Sequence, residues 1–449
     1  MSQPVSFGQA ARLWLKLGLL SFGGPAGQIA MLHRLVVEER KWIDNERFLH
    51  ALNYCHLLPG PEAQQLATYV GWLLHGTRGG LVAGTLFVLP GALVVLALSA
   101  LYAAFRQVPA VEALFYGLKP AVLAVVLAAV LRLGGKALGS LFGVLLAAGS
   151  FLALFLYQTP FPLVIAAAAL LGFLARKTCP DVLGNACPGW LHAQATGHGS
   201  GEAETPGPER SASLAGSLRI LGLWLTLWLG PVAALVLALG PENVFSRLAV
   251  FFSKMAVVTF GGAYAVLAYV AQEAVQGYGW LSAADMLNGL GLAETTPGPL
   301  ILVLQFVGYL AAFRDPGALT PVLAGILGSA LTLWVTFAPC FLWIFLGAPY
   351  IERLRGVRGL SAALSGITAA VVGVVLNLAV WFGLHTLFGR METVPFLGGD
   401  LPLPQWSSLD PAALVLALGA LAAMRLLRLG LAPTLGLCAL AGLLWKLLA

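Results

Sequence analysis

Lys16 and Lys254 each lie in an apolar stretch six residues before a Phe-Gly-Gly motif, Phe22-Gly23-Gly24 and Phe260-Gly261-Gly262. An ammonium group in such a stretch is costly unless it is paired, and its usual use is on an ion or substrate pathway. At the mouth of a span a lysine can instead reach the headgroups, a reading that suits Lys16 better than Lys254. Hydroxyls stand beside the same kind of motif. Ser21 and Thr259 precede the Phe-Gly-Gly pairs, and Thr295 and Thr296 precede Pro297-Gly298-Pro299. They can donate to the oxygens of an oxyanion, or return a hydrogen bond to a helix carbonyl about one turn earlier. A matching Pro59-Gly60-Pro61 is flanked by His56 and Glu62, and Glu294 takes the position that matches His56. Carboxylates beside an anion site are useful when they carry protons or pair with lysine, so Glu62 and Glu294 are expected to couple protons, with His56 able to change charge near neutral pH.

The elements that position these groups are interrupted helices. Phe-Gly-Gly and Pro-Gly-Pro both break an α-helix. Unwound backbone in hydrocarbon is tolerated only where it is buried in protein or lines a cavity. Four breaks in two matching pairs therefore predict one central cavity, since discontinuous helices at corresponding places in two halves point to a transporter's binding site. A half-helix starting after Pro61 or Pro299 aims free N–H groups and partial positive charge into that cavity, which suits an anion. The plainer account is that Gly and Pro are common in membrane helices and make kinks. Glu112 and Lys119, seven residues apart in one span, form a second candidate polar pair.

Composition sets the surroundings. The chain of 449 residues is 59% hydrophobic and 10% charged, against roughly 45–50% and about 25% in soluble domains. Apolar runs near 11–36, 49–75, 81–105, 111–132, 137–156 and 160–175 lead to a hydrophilic stretch over 176–216. After it come runs near 217–239, 247–275, 284–312, 318–348, 358–384, 408–428 and 431–448. Each is about the length a helix needs to cross a bilayer. One offset of 238 residues maps Lys16, Phe22, Gly23, Gly24, Trp42, Pro59, Gly60 and Pro61 onto Lys254, Phe260, Gly261, Gly262, Trp280, Pro297, Gly298 and Pro299. The expected architecture is an all-α polytopic membrane protein with about thirteen transmembrane segments in two inverted-topology repeats. Residues 1–175 form the first repeat, 176–216 a cytoplasmic linker, 217–239 an extra helix and 240–449 the second repeat. Lys and Arg lean toward the side holding the N-terminus, as the positive-inside rule asks. The net charge of +6 is spread through short loops without a basic stripe, so no nucleic-acid partner is expected. The N-terminal run shows no cleavage site and reads as a retained membrane segment. The five cysteines read as unpaired, and Cys179, Cys187, His192 and His198 match no compact zinc spacing. No metal or cofactor is expected.

The chain resembles the chromate ion transporter family in its long, two-block form. The resemblance rests on Ser21-Phe22-Gly23-Gly24-Pro25, on Leu58-Pro59-Gly60-Pro61-Glu62 running on to Tyr69, Gly71 and Pro90-Gly91, and on Thr259-Phe260-Gly261-Gly262 with Glu294-Thr295-Thr296-Pro297-Gly298-Pro299. It covers the chain outside the linker. It implies a multi-pass inner-membrane transporter that exports chromate and gives resistance to it, with sulfate as the look-alike substrate. Sulfate or other oxyanion uptake by proton symport is the alternative. The expected partners are chromate or sulfate, membrane lipid and, as an open expectation, a second copy in a homodimer. The copies differ where Ala263 replaces Pro25 and Leu300 replaces Glu62, so the two half-sites are not equivalent. An enzyme is the reading of another class. The chain has no His-Glu-x-x-His and no paired Asp-rich motif, and catalysis gives no reason for two copies of a charged, broken helix pair.

Overall fold

The computed structural model describes residues 5–22, 24–178, 213–260, 263–350, 358–396 and 398–448. The first block runs through α1 (Phe7–Leu20), α2 (Gly24–His33), α3 (Asn45–Leu57), α4 (Glu62–Phe105), α5 (Pro109–Ala137), α6 (Leu141–Phe155) and α7 (Phe161–Thr178). Then comes α8 (Leu214–Leu239). The second block runs through α9 (Val244–Val258), α10 (Ala263–Gln272), α11 (Ala283–Thr295), α12 (Val303–Arg314), α13 (Pro321–Gly347), α14 (Arg358–Leu387), α15 (Pro411–Arg425) and α16 (Leu431–Leu448). A short antiparallel hairpin, β1 (Met391–Phe396) and β2 (Gly399–Pro404), links α14 to α15, with Met391 opposite Pro404. Six stretches are long and apolar enough to cross a membrane: 62–105, 109–135, 214–239, 321–350, 362–387 and 431–448. Leucines such as Leu93, Leu237 and Leu444 face outward from them, as helices in lipid require. The protein is a helical, polytopic membrane protein.

α4 is two helices, because His75 (φ −136°) and Gly76 (φ 65°, ψ −154°) leave helical geometry inside it. A straight rod of 44 residues would be about 66 Å long, twice a bilayer's core. Its arms, 62–74 and 77–105, instead lie antiparallel. A Cβ on Gly71 would stand 2.5 Å from that of Ala83, and one on Gly84 would collide with Thr68. Small residues let the two backbones approach this closely. α12 and α13 repeat the arrangement with Gly308 against Gly328 and Thr332.

The interrupted runs also fold back. The rings of Phe251 on α9 and Tyr269 on α10 lie 5.6 Å apart. Those of Tyr54 on α3 and Tyr69 on α4 lie 6.2 Å apart. A Cβ on Gly289 of α11 would collide with the ring of Phe306 on α12. In straight helices these pairs would be roughly 22–27 Å apart. Three runs expected as interrupted spans, near 49–75, 247–275 and 284–312, are thus V-shaped hairpins closed at a break, and α1 with α2 is interrupted at the matching place. Each of the first arms has 13 to 15 residues, about 20–22 Å, too short to span alone.

The long arm of α4 is the rail on which these hairpins meet. At one end His75 bonds the Val5 carbonyl, 2.8 Å away at the start of the first block. Near the middle, Gly18 packs on the carbonyls of Leu86 and Phe87, and Gly91 abuts Pro297 and Gly298. At the far end Tyr102 bonds Asp285 at the base of the hairpin formed by α11 and α12. First-block arm and second-block hairpin therefore reach the middle of the rail from opposite ends. The stretch 179–212, with Cys179, Cys187, His192 and His198, lies outside the described residues.

Candidate functional site

The two breaks of each block meet the two breaks of the other. The N–H of Gly60 donates to the carbonyl of Thr259 at 2.9 Å, and the N–H of Gly298 donates to the carbonyl of Ser21 at 2.9 Å. Both partners are related by the same offset of 238 residues. Each bond joins a Pro-Gly-Pro tip to the Phe-Gly-Gly break of the other block, which is the pattern a two-fold relation produces. Gly60 at φ 123° and Gly298 at φ 100° hold backbone conformations open to glycine. Each tip packs on the other block's rail: Gly298 on Gly91 after Pro90 in α4, and Gly60 on Cys340 after Pro339 in α13, which is the rail of the second block. The bonds satisfy carbonyls orphaned at the ends of α1 and α9. Neither Pro61 nor Pro299 caps the helix that follows it with a side chain. The N-termini after both tips thus retain their partial positive charge at the junction.

The side chains around this frame are less symmetric. Ser21 is buried and its Oγ has no partner. Thr259 donates to the Met255 carbonyl at 2.6 Å, Thr295 to those of Gly291 and Leu292, and Thr296 to that of Ala293 at 3.1 Å. Of these four hydroxyls, Ser21 alone keeps its hydrogen uncommitted. His56 Nδ1 and Glu62 Oε2 are 3.1 Å apart beside the first tip, with side chains 25% and 17% exposed. Glu294 is 4% exposed and accepts a 2.6 Å hydrogen bond from the Tyr264 hydroxyl. The Arg132 guanidinium on α5 lies within electrostatic reach of that pair.

Lys16 and Lys254 lie on exposed faces of α1 and α9, five residues before Ser21 and Thr259 along the chain, and Phe22 is also exposed. Lys254 acts electrostatically on Glu273, at the far end of its own hairpin. Lys119 lies within reach of Glu112, as expected, and also of Asp285 and Lys446. Gly23, Gly261 and Gly262 lie outside the described residues. A cavity of about 440 Å³, lined by Glu242, Ser246, Arg247 and Tyr278 among others, opens at the base of α9 and not at the junction.

Sequence reasoning followed charge and missed a set of buried amides. Gln28 donates to the Gly298 carbonyl at 2.6 Å, Gln65 to that of Pro59 at 2.7 Å, and Gln305 to that of Ala92 at 2.9 Å. All three are almost fully buried, and each leaves its Oε1 unpartnered. Gln28 and Gln65 satisfy carbonyls that the breaks set free, as buried polar backbone requires, and Gln305 ties the second hairpin to the α4 rail. Glutamine close to a Pro-Gly-Pro in an apolar chain was the available signal. Tyr264, which carries the bond to Glu294, had none, because a tyrosine in an apolar run reads as packing.

Comparison with known proteins places these motifs. The chromate transporter family model matches residues 8–173 and 246–443. A chromate transport protein of Pseudomonas aeruginosa is 33% identical over 83% of this chain and 80% of its own length. One from Cupriavidus metallidurans is 28% identical over 83% of this chain and 81% of its own. An uncharacterized transporter of Bacillus subtilis, YwrA, is 30% identical over 35% of this chain but 89% of itself, the proportion of a single block. No solved structure matches.

Proposed function

Because the chain belongs to the chromate transporter family, we propose that it is a secondary transporter that exports chromate across the inner membrane and thereby confers resistance. The family is one of transporters and not of enzymes. The observation that carries the reading is the reciprocal pair of tip bonds, Gly60 to Thr259 and Gly298 to Ser21. Hairpins that approach one junction from opposite ends of a rail support an inverted repeat, with blocks 1–175 and 240–449, a linker at 176–216 and α8 between them. On this reading the chain has four re-entrant hairpins, two to a block, and α8, an odd crossing between the blocks, reverses the second block.

In this arrangement a tetrahedral dianion sits at the junction. The N-termini after Pro61 and Pro299, the Ser21 hydroxyl and the Lys16 and Lys254 ammonium groups would hold it. The two blocks rock about it, exposing it to either side in turn. His56, Glu62 and Glu294 take up or release protons as they do so. Moving two negative charges outward down about 100 mV releases roughly 4.6 kcal/mol, at about 2.3 per charge. That supports a gradient of about three decades.

Sulfate uptake by proton symport is the second reading, favoured by the burial of Glu294. Uptake of a dianion against the potential needs several protons and so depends heavily on the acids. Export does not. Amide variants of Glu62 and Glu294 would abolish uptake and only weaken export.

The test is chromate accumulation in everted vesicles under an imposed inside-positive potential, with excess sulfate as competitor. Protein-dependent accumulation that sulfate inhibits and Lys254→Ala removes is expected. Equal accumulation with and without the protein would rule chromate export out.

A further inference from the structure

At the base of the hairpin formed by α11 and α12, a buried carboxylate has more partners than its charge requires. Asp285, 3% exposed, accepts from the Ser282 N–H at 2.9 Å and hydroxyl at 2.6 Å, and from the Arg314 guanidinium at 3.0 Å. Arg314 also donates to the Trp280 carbonyl at 2.9 Å, so this set is closed within the second block. The same carboxylate accepts from the Tyr102 hydroxyl at 2.8 Å and meets Arg106 at 3.4 Å, both at the far end of the α4 rail. The Asn288 amide donates to the Tyr102 oxygen at 2.9 Å. These last three contacts cross from one block to the other.

The division matters because stripping a buried charge of its partner is strongly destabilising. If the hairpin moved off the rail, Asp285 would keep Arg314 and Ser282, and its charge would stay compensated. On the other side Arg106, whose side chain is already 43% exposed, would simply rehydrate. A polar contact that can part without orphaning a charge is suited to opening. Beside it the rings of Tyr102 and Phe306 lie 5.2 Å apart. At the tip, by contrast, Gly91 and Gly298 leave no room between the backbones.

We propose that Tyr102, Arg106, Asp285 and Asn288 form the gate of one mouth of the transport pathway, closed as seen here. Opening frees Arg106 as the guanidinium that meets the oxyanion at that mouth, a group whose planar donors fit such an anion. The inference rests on the transport reading of the junction. Tyr102 is a positioning residue: it sets when the site is reached.

The test begins with Asn288→Cys in a chain whose native cysteines are replaced, labelled in purified protein with a water-soluble maleimide. Adding Tyr102→Phe and Arg106→Gln, which leave Asp285, Ser282 and Arg314 intact, is expected to speed labelling about tenfold, as local opening becomes easier. In the same background, Tyr102→Cys and Asn288→Cys are bridged with a short reducible bis-thiol reagent. Chromate flux in vesicles is expected to fall about tenfold and to return on reduction. Labelling that does not change, or flux undiminished in the bridged protein, would overturn the gate. A wild-type chain that moves no chromate would fail the transport reading instead, while the labelling still decides whether the seam opens.

Discussion

The two Pro-Gly-Pro hairpins share a backbone and differ in chemistry. Both tips carry a glycine at positive φ, both donate that glycine's N–H to the opposite break, and both rest on the opposite rail. At the first tip His56 and Glu62 pair across the break in partial contact with the surroundings. At the second, Glu294 replaces the histidine and is sealed under Tyr264, while Leu300, 3% exposed, replaces Glu62. On the proposed reading a partly exposed pair would exchange protons without a conformational step. A sealed carboxyl exchanges only when the hairpins move, which makes the second tip the better place to tie proton transfer to a conformational step. On the proposed reading the duplicated frame would position the anion, and the divergent side chains would let the two halves do different work.

The largest expected effect comes from breaking the frame. Gly91→Val places a side chain against the Pro297 carbonyl, where backbone cannot yield. It should destabilise the protein by about 3 kcal/mol or prevent insertion, read as lost folded yield and lower melting temperature. A Gly91→Val protein with ordinary yield and flux would mean that the tip is not seated on α4 as described.

Glu294→Gln against Glu62→Gln sharpens the comparison of chemistries. A buried hydrogen bond to a charged group is worth about 1.5–3 kcal/mol, so Glu294→Gln should weaken chromate export about tenfold. Glu62→Gln removes a partly exposed pair worth about 1 kcal/mol or less and should cost no more than about fivefold. Equal losses would erase the assigned difference between the tips.

The smallest effect compares hydroxyls. Ser21→Ala removes an uncommitted donor, worth about 1 kcal/mol to a bound anion, and should raise KM a few-fold. Thr259→Val removes a hydroxyl already given to Met255 and should leave KM nearly unchanged. The reverse order would place the anion nearer the second break.

Much of this was legible in the chain because Gly and Pro act locally. Phe-Gly-Gly and Pro-Gly-Pro break a helix wherever they occur, and their recurrence at one offset exposed the duplication. Glu294 and His56 stood out because ionisable groups are rare in apolar runs. Gln28, Gln65, Gln305 and Tyr264 did not, since an uncharged polar group is recognised only by the carbonyl or carboxylate it satisfies. The hairpins were hidden for a similar reason. A run of apolar residues has the same composition whether its second arm continues across the bilayer or returns.

What the sequence determined by itself was the apolar character of the chain, the two blocks, the four break points and the residue types beside them, all set by local backbone sterics and by the cost of charge in hydrocarbon. Only the tertiary structure decided that the breaks fold back, that each tip pairs with the opposite block, and that Thr259, Thr295 and Thr296 bond their own helices while Ser21 does not. Those outcomes depend on which distant backbone fills the space beside a break. Gly60 and Thr259 are far apart along the chain, and only packing brings their N–H and carbonyl together.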